Sequence, residues 1–242
     1  AVQEHNHQAT ILELMQKPDF YPHPVGAVTF QETHISRVFL TGDFVYKIKK
    51  PVDLEFLDFT TLEKRHHFCQ LEVDLNRRLT HDVYRGVVPI TKKDQGYELE
   101  GPGEPVEYAV KMKQLSAGST MARLLRKGKI DNRQIDRLAR VLAAFYDAAR
   151  MDPKITAAGS WRTVKTNCEE NFSQTAEFAG NLIDRRRYQI ISSASRAFLH
   201  HHRDLFDRRA EENKIREGHG DLRTDHVYFT SEGIQIIDCI EF

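Results

Sequence analysis

Two acidic residues near the end of the chain have a spacing that could bring their carboxylates together. Asp221 follows His219-Gly220, and Asp238 follows the apolar pair Ile236-Ile237. Residues 227–237 between them have the pattern of two strands joined by a turn, and a hairpin returns its outer ends to one place. Neighbouring carboxylates repel unless a cation lies beside them, and Mg²⁺ is the oxygen-preferring cation that accompanies phosphates. The spacing therefore predicts a site for phosphate chemistry.

A lysine and a glutamate in the first half of the chain would supply the positive charge for such a site. Lys47 follows the apolar residues of a predicted inner strand, where an unpaired ammonium group is costly. Glu72 falls on the apolar face of the next predicted helix and is the natural partner of Lys47, although Arg65 and Asn76 are alternative partners for it. Held by Glu72, Lys47 could meet the α- and β-phosphates of a nucleotide. Lys49 shares its side of the strand, so the sequence leaves open which lysine contacts phosphate.

Two regions of the chain carry the signals of strands. Residues 28–48 contain three short apolar runs, the last two joined by the turn-forming residues Thr41-Gly42-Asp43. Residues 87–112 contain three more, with a Gln95-Gly96 turn between the first two. These runs and turns predict antiparallel strands, with Lys47 on one of the inner ones.

A helix is predicted between the two strand regions. It begins at Thr60, because Thr60 and Glu63 have the spacing of a capping box. It runs to about Leu79, and its buried face is predicted to carry Phe68, Leu75 and Leu79 at the three-to-four spacing of a helix.

The pattern changes beyond Ser116, where apolar residues recur with helical spacing to about residue 215. Strands followed by helices predict an α+β fold with two lobes. Residues 1–115 would form an N-terminal lobe with an antiparallel sheet and one helix. Residues 116–242 would form a mainly helical C-terminal lobe that also carries the hairpin and both candidate carboxylates.

The composition excludes several classes of partner. Lysine plus arginine and aspartate plus glutamate both number 35, so no overall field would draw the chain to nucleic acid or an anionic membrane. The three cysteines lack the paired spacing of a zinc site or disulfide framework. No apolar run reaches the roughly 18 residues of a membrane span. We expect a soluble, cytoplasmic protein that binds neither nucleic acid nor membranes.

One segment resembles a known family. His219-Gly220-Asp221-Leu222, followed by His226 and by Asp238 after an apolar strand, is similar to the catalytic segment of the aminoglycoside/choline phosphotransferases. The resemblance implies a bilobal protein-kinase-like fold, ATP and Mg²⁺ as cofactors, and a small-molecule hydroxyl as acceptor. Asp221 would be the catalytic residue that orients the hydroxyl, and Asp238 would bind the metal. Lys47 and Glu72 would form the pair that positions ATP.

The same resemblance assigns further residues. Met112, Lys113 and Leu115 would bind the nucleotide where the two lobes join, with backbone groups of Lys113 and Leu115 meeting adenine. His226 stands where the family usually has an asparagine metal ligand, and a neutral imidazole is a poorer ligand for Mg²⁺ than oxygen. Either His226 binds the metal or has another role, or Asp225 or Glu241 contributes, or metal binding is impaired.

Two functions follow from the resemblance. The first is transfer of the γ-phosphoryl group of ATP to a hydroxyl of a small molecule, such as an aminoglycoside, a sugar acid or a polyol. The alternative is a nucleotide-binding regulatory pseudokinase without transfer activity, motivated by His226 and by the position of Phe242 soon after Asp238. The family continues there with helices that complete the acceptor pocket. We therefore expect a chain truncated at its C-terminus, with a further C-terminal domain in the full-length protein.

Overall fold

The computed structural model describes residues 2–54, 57–93 and 96–241. The chain divides into two compact units, one formed by Ala1–Val141 with His219–Phe242 and the other by Leu142–Gly218. The predicted boundary at residue 115 follows the change from strands to helices, which is a different criterion, and it stays a prediction. Gln95, half of the predicted Gln95-Gly96 turn, lies outside the described residues.

The first unit contains a six-stranded antiparallel sheet, as the sequence predicted. Its strands are β1 (Thr29–Glu32), β2 (Ser36–Leu40), β3 (Phe44–Lys49), β4 (Tyr84–Lys93), β5 (Gly96–Leu99) and β6 (Pro105–Lys113). They lie in the order β1-β2-β3-β6-β4-β5, and every neighbouring pair is antiparallel. β3 is therefore an inner strand, with Lys47 opposite Val38 of β2 and Val110 of β6. Pairing on both sides fixes the backbone that carries Lys47.

Helices cover both faces of this sheet. They are α1 (Val2–Leu14) and α2 (Leu62–Asn76), whereas the short helix α3 (Met121–Arg126) follows the sheet in the chain. Tyr46 and Ile48 of β3 share one core with apolar residues of α1, whereas Cys69 of α2 belongs to a second core with β4 and β6. Because side chains alternate along a strand, Lys47 and Lys49 share the face opposite to Tyr46 and Ile48. That is the face on which α2 packs.

The N-cap of helix α2 lies one residue after the predicted one. Thr61 is the N-cap, and its hydroxyl oxygen accepts a hydrogen bond from the Lys64 N–H at 3.3 Å. The Thr60 hydroxyl instead donates to the Asp58 carboxylate at 2.6 Å, so it is not available as a cap. The prediction of a helix start in this segment is confirmed, and its assignment to Thr60 is wrong.

The buried face of α2 also differs from the prediction. It consists of five residues, which are Arg65, Cys69, Glu72, Val73 and Asn76. Phe68 and Leu75 are only half-buried, and Leu79 is buried beyond the end of the helix. The polar residues on the buried face of α2 are tolerated there because each has a partner. The spacing of apolar residues alone therefore predicted the wrong buried face for this helix.

The rest of the chain up to residue 211 is mainly helical, as predicted. The helices are α4 (Asn132–Ala148), which spans the boundary between the units, α5 (Pro153–Ala158), α6 (Trp161–Thr175), α7 (Arg185–His201) and α8 (Arg203–Glu211). Side-chain oxygens of Asp152, Ser160 and Asp184 cap α5, α6 and α7. No helix among the described residues has the length and apolarity needed to cross a membrane.

The chain ends in the predicted hairpin, formed by β7 (Val227–Thr230) and β8 (Gly233–Ile236). The Thr230 hydroxyl donates to the Gly233 carbonyl at 2.8 Å and closes the turn. The hairpin is bound to the segment after α2, since the Ile236 N–H donates to the Leu79 carbonyl at 3.0 Å. This anchor places the residues after β8 beside α2.

Candidate active site

A cleft of about 650 Å³ lies in the first unit between the sheet and the hairpin segment. Most of the residues that the sequence singled out line it: Lys47, Glu72, Met112, Lys113, Leu115, Asp221 and Asp238. His226 contacts the two aspartates from beside the cleft. The volume falls within the range of small-molecule and cofactor sites.

Lys47 lies between two carboxylates at the polar end of the cleft. Its Nζ is 2.9 Å from Glu72 Oε1 and 2.8 Å from Asp238 Oδ1. The Asp238 contact is a hydrogen bond, whereas Glu72 Oε1 contacts the ammonium as an ion pair without hydrogen-bond geometry. The Glu72 side chain is 1% exposed and that of Asp238 is 46% exposed. The predicted pairing of Lys47 with Glu72 is therefore observed, and Asp238 joins it.

Charge pairing controls the ionisation of these three groups. Burial alone would lower the pKa of Lys47, but Glu72 and Asp238 outweigh it and raise that pKa well above its ordinary value. Burial would also raise the pKa of Glu72, and the two neighbouring lysines reverse the effect and lower it. The pKa of Asp238 is lowered mainly by the charge of Lys47. All three side chains are therefore charged at neutral pH.

Lys49 occupies a closed position on the other side of Glu72. Its Nζ donates to Glu72 Oε2 at 2.9 Å and also to Glu241, and its side chain is fully buried. Burial alone would lower the pKa of Lys49, but Glu72 and Glu241 raise it. Since Lys47 lines the cleft and Lys49 is shielded, the structure favours Lys47 as the lysine that a ligand could reach. Of the two alternative partners of Glu72, Arg65 pairs with Glu107 at 3.0 Å, whereas Asn76 donates to the backbone carbonyl of Glu72 at 2.9 Å and not to its carboxylate.

The segment around Asp221 is tied to the strand that leads to Asp238. His219 is buried, and its Nε2–H donates to the Ile237 carbonyl at 3.0 Å. The other ring nitrogen, Nδ1, accepts from the Asp221 N–H at 3.3 Å. Burial lowers the pKa of His219, which agrees with a neutral ring. Gly220 has φ +84°, and a Cβ there would lie 3.0 Å from the Ile240 side chain, so a glycine is required.

Asp238 is held in an unusual backbone conformation. Its φ is +66°, in the left-handed region that aspartate tolerates better than most residues. Its N–H donates to the Tyr84 hydroxyl at 3.3 Å. The next residue is bound on α2, because the Cys239 N–H donates to Asn76 Oδ1 at 2.9 Å. These contacts direct the Asp238 carboxylate towards Lys47.

Asp221 contacts a basic residue that the sequence reasoning did not single out. Arg223 Nε is 3.2 Å from Asp221 Oδ2, and Arg223 Nη2 lies 2.9 Å from His226 Nε2. The other nitrogen of His226, Nδ1, is 2.8 Å from the Asp221 carbonyl oxygen. Both ring nitrogens of His226 therefore have hydrogen-bond partners.

These contacts do not favour the prediction that His226 binds a metal ion. A carbonyl oxygen can only accept, so Nδ1 carries the proton and Nε2 keeps the lone pair, which Arg223 already uses. A metal could bind Nε2 only if Arg223 left. Among the described residues no group of three or more His, Cys, Asp or Glu side chains has the geometry of a metal site. The role of His226 as a metal ligand stays a prediction that its contacts do not favour.

Apolar side chains also line the cleft. They are Val38, Leu40, Val45, Met112 and Ile237. The Lys113 N–H donates to the Val83 carbonyl at 2.8 Å, so of its two backbone groups only the carbonyl could serve a nucleotide. The Lys113 side chain pairs with Glu232 at 2.7 Å. An apolar compartment beside a charged one suits a ligand with a flat base and an anionic tail.

The charges of the cleft fit a nucleotide that brings a cation with it. Four cationic side chains and four carboxylates line it or pair with residues that do: Lys47, Lys49, Lys113, Arg223, Glu72, Asp221, Asp238 and Glu241. The half-exposed carboxylates of Asp221 and Asp238 would repel a bare polyphosphate. Asp238 offers the oxygen ligands that Mg²⁺ prefers, and a cation bound there would remove the repulsion.

Several functional candidates escaped the sequence reasoning. Lys49 was noticed only as a rival of Lys47, and Glu241 only as a substitute metal ligand. Tyr84 and Arg223 gave no periodic signal. Ser36 also lines the cleft, and its hydroxyl is buried without a hydrogen-bond partner. No local pattern could have identified these residues, because their roles depend on contacts between distant segments.

Comparisons with known proteins give relatives but no activity. No protein-family model matches the chain. One protein from Mycobacterium tuberculosis and one from Mycobacterium bovis, both described as uncharacterized, are 30% identical over 223 residues, which cover 91% of this chain and 43% of each relative. The chain thus spans less than half the length of these curated relatives. A crystal structure of WbdD is similar with 12% identity and a TM-score of 0.31, covering 91% of this chain and 33% of that one. A likeness at that level does not establish a shared fold.

Proposed function

We propose that the chain is an ATP-dependent phosphotransferase that moves the γ-phosphoryl group to a hydroxyl of a small molecule. The observation that carries the proposal is the contact of Lys47 with both Glu72 and Asp238 in a cleft that apolar side chains also line. The resemblance of the segment at Asp221 supports it, and so does the α+β architecture, which is compatible with a bilobal kinase-like fold.

The side chains of this chain would act mainly by positioning charge. Bound ATP would supply the phosphoryl group, and Mg²⁺ would neutralise the charge on its oxygens. Lys47, oriented by Glu72, would bind phosphate oxygens with an ammonium that is charged at neutral pH. Asp238 would hold the cation, for which it must share its carboxylate with Lys47. Each of these roles uses a contact that exists in the folded chain.

Asp221 would orient the acceptor hydroxyl and take up its proton. Its side chain is 42% exposed, so an acceptor can reach it. Arg223 would have to share or release Oδ2 before that oxygen could accept a hydrogen bond from a substrate. Met112, Lys113 and Leu115, which line the cleft, would hold the base.

Transfer of radiolabelled phosphate from ATP to a panel of aminoglycosides, sugar acids and polyols tests this function. Asp221→Ala should lower turnover by about 100-fold or more while the affinity for ATP stays within twofold. Asp136→Asn is the control, because Asp136 is an exposed aspartate of α4 that does not line the cleft. Equal loss of turnover in both folded variants would contradict the role of Asp221.

A second candidate function is nucleotide binding without transfer. It is favoured by one observation, which is that Arg223 already engages both the Asp221 carboxylate and the His226 lone pair. Titration calorimetry of ATP with and without Mg²⁺ separates the two functions. Binding of equal strength in both conditions, with no labelled product from any acceptor, would favour the regulatory role.

A further inference from the structure

The neighbours of His226 determine which of its two ring nitrogens donates a hydrogen bond and which accepts one. Nδ1 lies 2.8 Å from the backbone carbonyl of Asp221 and must donate to it. Nε2 is left as the acceptor, and a guanidinium N–H of Arg223 lies 2.9 Å away. The carboxylates that face the ring are Asp221 Oδ2, 4.0 Å from Nδ1, and Asp238 Oδ2, 3.5 Å from Nε2. The ring nitrogen that contacts the Arg223 guanidinium, Nε2, is therefore also the one nearest to Asp238.

The guanidinium of Arg223 places a positive charge beside Asp221, one of the two half-exposed carboxylates of the site. Arg223 is held from two directions, by the Asp221 carboxylate at 3.2 Å and by the His226 ring at 2.9 Å. A guanidinium keeps its charge at all pH values at which proteins are stable. It has five N–H donors, so both contacts can persist while others bind phosphate oxygens. Its side chain is 58% exposed and lines the cleft, so a ligand can reach it.

We propose that Arg223, oriented by His226, supplies a permanent positive charge where a second metal ion would bind, and that it contacts the terminal phosphate of a nucleotide. The site would then take one divalent cation, at Asp238, and not two. His226 acts as a positioning residue that holds the arginine through Nε2. This inference rests on the proposed function, since it names the groups that would receive the phosphates.

The number of bound metal ions tests the inference without any measurement of activity. Electron paramagnetic resonance of Mn²⁺ in the presence of a non-hydrolysable ATP analogue counts the ions bound for each nucleotide. We expect one ion for the native protein and for the control Asp136→Asn. His226→Ala removes the ring nitrogen that accepts from Arg223, so a second ion should bind. Two ions bound by the native protein would overturn the inference.

Comparing nucleotides with one and with three phosphates shows which phosphate Arg223 contacts. Arg223→Gln should weaken binding of the ATP analogue by about 10- to 100-fold, the range of a hydrogen bond to a charged group, and leave AMP within twofold. Arg223→Lys should recover part of the loss, because it restores the charge without the planar fork. An equal change for AMP and the ATP analogue, or no change, would contradict the contact.

If the native protein bound no nucleotide, the proposed function itself would fail, whereas nucleotide binding with two ions refutes the inference alone.

Discussion

Replacing Lys49 should damage the stability of the protein, whereas replacing Lys47 should damage its affinity for nucleotides. The two lysines are two residues apart on one strand and share Glu72, with both Nζ atoms 2.9 Å from its oxygens. They differ in what surrounds them. Lys49 is fully buried and also binds the buried Glu241, but Lys47 lines the cleft and also binds the half-exposed Asp238.

The expected magnitudes follow from the groups that each substitution leaves behind. Lys49→Met leaves Glu241 buried without its partner, and removal of one member of a buried ion pair costs about 3–5 kcal/mol. Lys47→Met leaves Glu72 with Lys49, and it leaves Asp238 open to water. We therefore expect a loss of no more than about 2 kcal/mol for Lys47→Met. The same variant should weaken ATP binding by about 10- to 100-fold.

Urea unfolding followed by circular dichroism gives the free energies, and titration calorimetry gives the affinities. The double variant Lys49→Met with Glu241→Leu should recover much of the stability lost in Lys49→Met, because apolar residues of similar volume can replace a buried ion pair. A larger loss of stability for Lys47→Met than for Lys49→Met would refute the assigned positions. So would normal ATP binding by Lys47→Met.

Three other changes have defined outcomes. The lowered pKa values of Glu72 and Asp238 contribute stability that is complete above pH 5 and is lost as the pH falls through the folded-state values; acid titration of Asp238→Asn should therefore show a smaller loss between pH 5 and 3 than the native protein shows. Gly220→Ala should destabilise the protein by about 1–3 kcal/mol in thermal unfolding, since φ is +84° and the new Cβ would meet an isoleucine side chain; an unchanged melting temperature would contradict this. Asn76→Ala should cost about 1–3 kcal/mol in urea unfolding by removing the buried hydrogen bond from the Cys239 N–H to Asn76 Oδ1, and an unchanged midpoint would show that this bond contributes nothing.

Local patterns predicted much of the fold. Apolar runs separated by turn residues identified the strands of the sheet and the terminal hairpin, because these signals lie within a few residues of one another. The contact of Lys47 with Glu72 was also predicted, since a charged residue on an apolar strand needs a partner on the element that covers it. The helix start was off by one residue because Asp58 engages the Thr60 hydroxyl.

Other contacts between distant segments could not be predicted. Lys49 and Glu241 are separated by 192 positions, and no spacing rule connects them. The buried face of α2 was misplaced because Arg65 lies on it, paired with Glu107 of β6. Arg223 is an exposed residue in a loop, and only the folded chain shows that it contacts both the catalytic candidate and His226. The sequence therefore predicted which strand and hairpin carry the site but not the second layer of charges around it.

Anomalous diffraction from crystals grown with Mn²⁺ and a non-hydrolysable ATP analogue tests the central claim most directly. We predict one manganese peak bound to the Asp238 carboxylate, phosphate density against Lys47 Nζ, and the base among the apolar residues near Met112. Nucleotide density at any other place, or a cleft in which Asp238 binds no manganese, would contradict the assignment of this cleft as a nucleotide site.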